Sequence, residues 1–149
     1  MIIELAQNKD KQKIAKLDSH IPSSRLDECI GNGQAYVLRE GFTGNDGQNN
    51  RLKGAVVGVL RYSLFWQTIP FLDLIYIEEA YRGKGFGSQM MSEWERSMKT
   101  CGYQYVMTST QADEDAWQFY EKLGYIKVGG FLPPEQDADE WIYLKQLIE

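Results

Sequence analysis

The segment that most constrains the fold runs from Phe71 to Thr110. An apolar run, FLDLIYI (71–77), leads into YRGKGFGS (Tyr81–Ser88), and FGSQMMSEWERSMK follows with a helical pattern. Gly83, Gly85 and Gly87 fall within five residues. Glycine loses more backbone freedom on folding than any other residue, so such a cluster marks a sharp bend or a close approach. Phe86, Met90, Met91, Trp94 and Met98 then recur on one helical face, and the spacing predicts core packing for them. YQYVMTST (103–110) reads as the next strand, after Gly102 as a helix-ending residue. The segment is a strand–helix–strand unit with a glycine loop at its first corner.

The rest of the chain builds around this unit. MIIELA reads as a short strand. KDKQKIAKLDSH carries Ile14 and Leu17 at helical spacing, Pro22 breaks the chain, and Ser23 or Ser24 caps a second helix through RLDECI. QAYVLRE and LKGAVVGVLRYSLFW read as strands joined by GFTGNDGQNNR, a hairpin loop by its Gly, Asn and Asp content. TIPFLDLIYI is nearly continuous in apolar character, which predicts burial on both faces. DEDAWQFYEKLGY is a helix with Asp113 as cap and Gly124 as its end, and YIKVGG and EWIYLKQL are the last strands. An antiparallel first half and a strand–helix–strand unit predict a single α/β domain over residues 1–149, with a mixed, mostly antiparallel sheet flanked by helices.

Composition narrows the function classes. The chain has 149 residues, 43% hydrophobic and 25% charged, which is ordinary for a soluble globular domain. No apolar run approaches the roughly 20 residues of a membrane span, and the start lacks the pattern of a signal peptide. The cytoplasm is therefore the expected compartment. Cys29 and Cys101 form no recognisable spacing and are expected to be reduced. One histidine, His20, with neither cysteine near it, gives a zinc site little support, so no metal is expected. The net charge of −5, without a basic cluster, argues against nucleic-acid binding. It permits a cationic substrate and fits plain solubility better.

The glycine loop has two readings. Strand, glycine loop and helix start is the arrangement that holds a phosphate, with backbone N–H groups and the helix dipole facing the anion. Arg82 and Lys84 bring charge to the same loop. The other reading is a tight turn with no ligand. Neither a P-loop nor a dinucleotide fingerprint fits: no G-x-x-x-x-G-K-[ST] run is present, and the third position of G-x-G-x-x-G falls on Ser88.

Arg82-x-x-Gly85-x-Gly87, after LIYIEEAY, resembles the loop signature of the GNAT superfamily of acyl-coenzyme A-dependent N-acyltransferases. Asp113 to Tyr125, DEDAWQFYEKLGY, is similar to the superfamily's second motif, in the expected order. The resemblance implies that the amides from Gly83 through Lys84, Gly85, Phe86 and Gly87 to Ser88, with Arg82, hold the pyrophosphate of acetyl-CoA. It implies that the strand backbone at Ile75, Tyr76 and Ile77 pairs with the pantetheine arm, the Ile77 amide polarising the thioester carbonyl. Tyr120 is expected near the sulfur. Asp113 stands where the superfamily commonly has Asn; a carboxylate only accepts hydrogen bonds, which counts against a direct bond to a pantetheine carbonyl and leaves its expected capping role.

Acyl transfer to an amine needs a neutral nucleophile, a base, an oxyanion donor and an acid for the departing thiolate. Tyr120 is the expected acid, since Ala116, Phe119, Tyr120 and Leu123 share one helical face; the alternative is a core tyrosine. Asp73, inside an apolar strand, is the first base candidate, because burial would raise its pKa. Glu78, beside Ile77, is the second, its alternative a solvated strand end, and a water chain is the third. Trp66, Phe65 and His20 are candidates for the acceptor site, or simple packing. Ribosomal-protein N-terminal acetyltransferases of the superfamily carry a glutamate on the strand corresponding to VMTSTQ, which has none here, and this counts against a protein N-terminus as acceptor.

The expected function is transfer of an acetyl group from acetyl-CoA to a primary amine of a small molecule or peptide by direct attack. The alternative is a non-catalytic acyl-CoA-binding module. An aminoglycoside or polyamine modifier is a weaker reading that the acidic balance permits. Acceptor identity, donor chain length and homodimer formation are left open by the sequence.

Overall fold

In this computed structural model, residues 1–41 and 54–147 are described. The hairpin loop expected over 41–51 therefore lies, beyond Gly41, outside the described residues. Seven strands form one sheet in the order β1-β2-β3-β4-β5-β7-β6. They are β1 (Ile2–Leu5), β2 (Ala35–Arg39), β3 (Val56–Phe65), β4 (Ile69–Ile77), β5 (Tyr105–Gln111), β6 (Ile126–Phe131) and β7 (Glu140–Gln146). The helices are α1 (Lys11–Leu17), α2 (Ser23–Gly31), α3 (Phe86–Thr100) and α4 (Ala116–Lys122). β1 pairs antiparallel with β2 and β2 with β3, whereas β4 and β5 pair parallel, with Phe71 opposite Met107 and Leu72 opposite Thr108. The parallel pair needs a crossover, and α3 supplies it. β7 pairs antiparallel with both β5 and β6. The fold is α/β with a mostly antiparallel sheet, as the element pattern implies.

The chain divides into two compact units, Met1–Tyr62 with Leu74–Glu93, and Ser63–Asp73 with Trp94–Glu149. In the first, Ile14, Leu26, Ala35, Val37 and Val59 form a buried cluster on which Leu17 and Leu74 pack. In the second, Trp94, Met98, Val106, Tyr120, Tyr125 and Tyr143 are buried. The methionines at 90, 91 and 98 and Trp94 are core residues, as the helical spacing indicates.

Three local expectations are corrected. The N-cap of α2 is Pro22, with Ser23 as the first helical residue and no side-chain cap bond. α4 is capped at Asp115 rather than Asp113, again without a side-chain cap bond, and Asp113 is exposed in the preceding turn. β4 is not buried on both faces: Pro70 and Leu72 are buried, but Asp73 and Tyr76 are exposed. Its apolar run covers a strand only partly enclosed by neighbours.

The first unit also contains a buried ion-pair network. Arg39 donates to both carboxylate oxygens of Asp10 at 3.0 and 2.9 Å, and its Nε donates to Glu4 at 2.8 Å. Burial pushes the Asp10 carboxyl up, but bonds from Arg39 and the Gln7 amide, with the Arg39 charge, outweigh it and hold the pKa below the ordinary 3.8. A depressed folded pKa gives stability that is fully present above the unfolded value and is lost as pH falls through the folded one. Asp10 therefore supports the fold at neutral pH and ceases to do so in strong acid. Asp10→Ala removes two of the bonds on a buried guanidinium, leaving that to Glu4, and is expected to cost about 3 kcal/mol, or roughly 10 °C in melting temperature, at pH 7. Thermal denaturation of the variant at pH 7 and pH 3 checks both size and direction, since the difference from wild type should shrink in acid.

Candidate functional site

In the first unit, β4 ends at Ile77 and a 3-10 turn over Glu79–Tyr81 leads into the glycine loop. Gly83 has φ +73° and Gly85 has φ +84°, the left-handed region that residues with a Cβ adopt at a cost. A Cβ on either would meet no atom within 4 Å, so the glycines are required by backbone conformation and not by space. These two reversals turn the chain into α3, whose first internal bond runs from the Gln89 amide to the Gly85 carbonyl at 3.1 Å. The amides of Phe86, Gly87 and Ser88 therefore belong to the helix's opening turn and have no acceptor within the helix. Helix-start N–H groups behind left-handed glycines form a cradle suited to a phosphate-type anion.

The cations of the loop are partly committed elsewhere. Arg82 Nε donates to the Ile77 carbonyl at 2.6 Å, and its guanidinium carbon lies 5.1 Å from the Tyr76 ring centre. Arg82 thus ties the loop to the end of β4. Lys84 lies 5.9 Å from the Tyr81 ring centre, and Tyr81 donates to Glu40. β3 approaches this strand end closely: a Cβ on Gly58 would lie 3.2 Å from the Tyr76 carbonyl oxygen and 3.3 Å from Ile77. Tyr76 and Ile77 are therefore approached both by Gly58 and by Arg82.

The base candidates differ from expectation. Asp73 is exposed, so the burial invoked to raise its pKa is absent. Glu78 is half-buried and forms an ion pair with Lys13 at 2.6 Å, which makes it a partner in a surface link rather than a solvated strand end. His20 is exposed, its amide donating to Asp18.

In the second unit, Tyr120 is buried, with its ring edge-on to Phe119 and Tyr125. Burial raises its pKa, partly offset by a hydrogen bond with the Thr108 side chain, so the hydroxyl is protonated at neutral pH. Thr108 in turn donates to the Leu72 carbonyl at 3.2 Å. The sequence pointed Tyr120 inward but gave no sign of Thr108, since a strand threonine carries no pairing signal.

The same unit contains a cleft of about 620 Å³ lined by Phe65, Trp66, Phe71, Asp73, Phe131 and Glu140, among others. Phe65 and Trp66, which the sequence offered as acceptor-site residues, are both on its wall. Phe131 and Glu140 were not foreseen, because both sit at the junctions of a loop that carries no motif. Trp66 and Gln67 occupy the hairpin between β3 and β4 with φ +53° and +58°, closed by the Thr68 amide on the Phe65 carbonyl at 3.0 Å. Two positive φ angles are what a two-residue hairpin wants, but Asn-Gly supplies them far more readily than Trp-Gln. Each non-glycine residue there costs roughly 1–2 kcal/mol.

Among the described residues no helix is long and apolar enough to cross a membrane. No curated protein matches the chain in sequence. Solved structures do match its fold. An acetyltransferase of the GNAT family from Bacillus cereus is 19% identical with TM-score 0.72, covering 99% of this chain and 98% of that one. YncA of Salmonella typhimurium, a putative acetyltransferase solved with acetyl-CoA, is 16% identical with TM-score 0.77, covering 100% and 95%. An aminoglycoside 6'-N-acetyltransferase solved with coenzyme A is 16% identical with TM-score 0.75, covering 100% and 98%. The sequence profile of the acetyltransferase (GNAT) family matches residues 18–125, most of the chain, and the protein belongs to that family.

Proposed function

We propose that this protein transfers an acetyl group from acetyl-CoA to a primary amine by direct attack. The observation that carries the reading is the loop at Gly83–Ser88, whose left-handed glycines open onto the start of a 15-residue helix. Its amides suit the pyrophosphate of coenzyme A, and the β4 backbone at Ile75–Ile77 precedes it in the chain, one 3-10 turn away. Family membership supports the same donor.

Acetyl-CoA supplies the activated acyl carbon. The neutral amine attacks that carbon, the Ile77 amide donates to the developing oxyanion, and the C–S bond breaks. The amine proton passes to Asp73 directly or through water, and the Tyr120 hydroxyl gives a proton to the thiolate. A lysine-like amine has a pKa of about 10.4, so the reactive fraction is small at neutral pH and a base on β4 gains from lowering that barrier. Glu78, paired with Lys13 at 2.6 Å, is the second candidate for the same task.

Asp73→Asn is expected to lower turnover by about 10²-fold across the neutral and alkaline range. Release of free coenzyme A thiol, followed from pH 6 to 9.5 with a panel of amines, tests both the reaction and this role. Unchanged turnover in the variant would remove Asp73 from proton transfer.

A further inference from the structure

The cleft of the second unit has a chemistry of its own. Its volume of about 620 Å³ lies in the range typical of small-molecule sites. Its walls are mostly apolar, and aromatic rings dominate them: Trp66 and Phe65 lie 4.7 Å apart between ring centres, and Phe65 and Phe71 are stacked at 6.3 Å. Phe131 adds a fourth ring, more than half exposed. Two carboxylates, Asp73 and Glu140, are the charged groups of the lining. Gln136 donates to Glu140 at 3.3 Å and to the Ala138 carbonyl at 2.7 Å, and it accepts from Gln111, so Glu140 is held and not merely solvated.

Trp66 is the second, independent sign. It is 79% exposed, it sits in a left-handed conformation unfavourable for a bulky residue, and it lines the cleft. A large aromatic ring that is neither buried nor conformationally relaxed contributes little to folding. Strain of this kind is tolerated where the residue serves a site.

We propose that this cleft is the acceptor site and that it takes a small primary amine carrying an aromatic group, an arylalkylamine. The inference rests on the acetyl-transfer reading. The rings stack on the flat apolar frame and attract the cationic head through their faces, while Asp73 and Glu140 complement its charge. A polyamine or aminoglycoside would present several cations to two carboxylates and leave most of the wall without a partner. Asp73, on the strand that also carries Ile75–Ile77, then both attracts the ammonium form and takes its proton.

The test compares kcat/KM at saturating acetyl-CoA for phenethylamine, tryptamine, propylamine, spermidine, kanamycin and a short peptide beginning with Phe. Phenethylamine and tryptamine are expected to exceed propylamine, spermidine and kanamycin by at least tenfold. Trp66→Asn is expected to cut kcat/KM for the two aromatic amines about tenfold, with a smaller loss for propylamine, and to raise the melting temperature by relaxing the turn. A packing role for Trp66 would lower the melting temperature and leave the amine preference alone. Calorimetric titration of phenethylamine into the protein separates the two readings. Phenethylamine binding without thiol release from any amine would leave the cleft assignment standing and overturn acetyl transfer. Acetylation that favours spermidine or kanamycin would leave acetyl transfer standing and overturn the cleft assignment. Preference for the Phe-initiated peptide over phenethylamine would overturn the small-molecule assignment.

Discussion

Gly85→Val is expected to raise the KM for acetyl-CoA about 10²-fold while leaving the protein folded. Gly85 has φ +84°, and nothing lies within 4 Å of where its Cβ would be. Valine therefore meets no clash. It meets a backbone region that a β-branched residue avoids, at a cost of roughly 1–2 kcal/mol, and the loop relaxes this strain by rotating the residue toward negative φ. That rotation re-aims the Gly85–Phe86 peptide and the amides of the first turn of α3, the groups proposed to hold the pyrophosphate. Gly85→Asn is the informative control, because Asn tolerates the left-handed region and is larger than hydrogen by about as much as Val. The expected order of KM is wild type, then Asn, then Val. Equal impairment in Asn and Val variants would show that side-chain bulk, and not backbone conformation, sets the loop's function. The melting temperature of the Val variant should fall by only about 3 °C.

Tyr120→Phe is expected to lower kcat about 10²-fold with little change in the KM for acetyl-CoA. The ring stays in its aromatic setting against Phe119, Tyr125 and Tyr143, so packing is kept. The hydroxyl is what is lost. It is protonated at neutral pH because burial raises its pKa, which is the state a proton donor to a thiolate needs. General acid catalysis contributes typically 10²–10⁴-fold, which sets the expected size. Stability should fall by about 1 kcal/mol for the missing bond with Thr108. The two quantities separate the two roles of this tyrosine. A loss of stability without loss of turnover would make Tyr120 a core residue whose hydroxyl serves only Thr108. Loss of turnover well beyond the loss of stability is the outcome the acid role requires.

The fold was legible where local chemistry and tertiary environment agree. Met90, Met91, Trp94 and Met98 repeat at helical spacing, and burying that face is the only way to satisfy it. Gly102 and Gly124, both at positive φ, end their helices as the sequence suggests. Legibility failed where a residue's environment depends on distant chain. Asp73 in FLDLIYI looks enclosed because its neighbours in sequence are apolar, yet it is exposed on a cleft wall. No spacing rule states whether a strand has a neighbour covering each face. Helix capping misled by one or two positions, with Pro22 and Asp115 taking the cap positions read for Ser23 and Asp113. Asp113 and Asp115 are ranked too closely by propensity alone, whereas Pro22 takes its position with no side-chain cap bond to signal it.

The site was legible in part for the same reason. The glycine loop announces itself, because left-handed backbone has few other solutions, and its two positive φ angles fall on Gly83 and Gly85. The cleft does not. Phe65 and Trp66 end one strand, Phe71 opens another, and Phe131 and Glu140 flank a loop some sixty residues later in the chain. Only the paired strands bring them onto one lining, and no linear pattern encodes that convergence.

Acetyl transfer is tested with trideuteroacetyl-CoA, the purified protein and phenethylamine. Mass spectrometry follows the amine while free thiol is measured in the same reaction. The expected result is an N-acetylated product three mass units heavier than the unlabelled amide, formed one for one with released coenzyme A, and lost in Tyr120→Phe far more than stability is. Saturable binding of acetyl-CoA with no labelled amide from phenethylamine or any other amine would contradict it and leave an acyl-CoA-binding module.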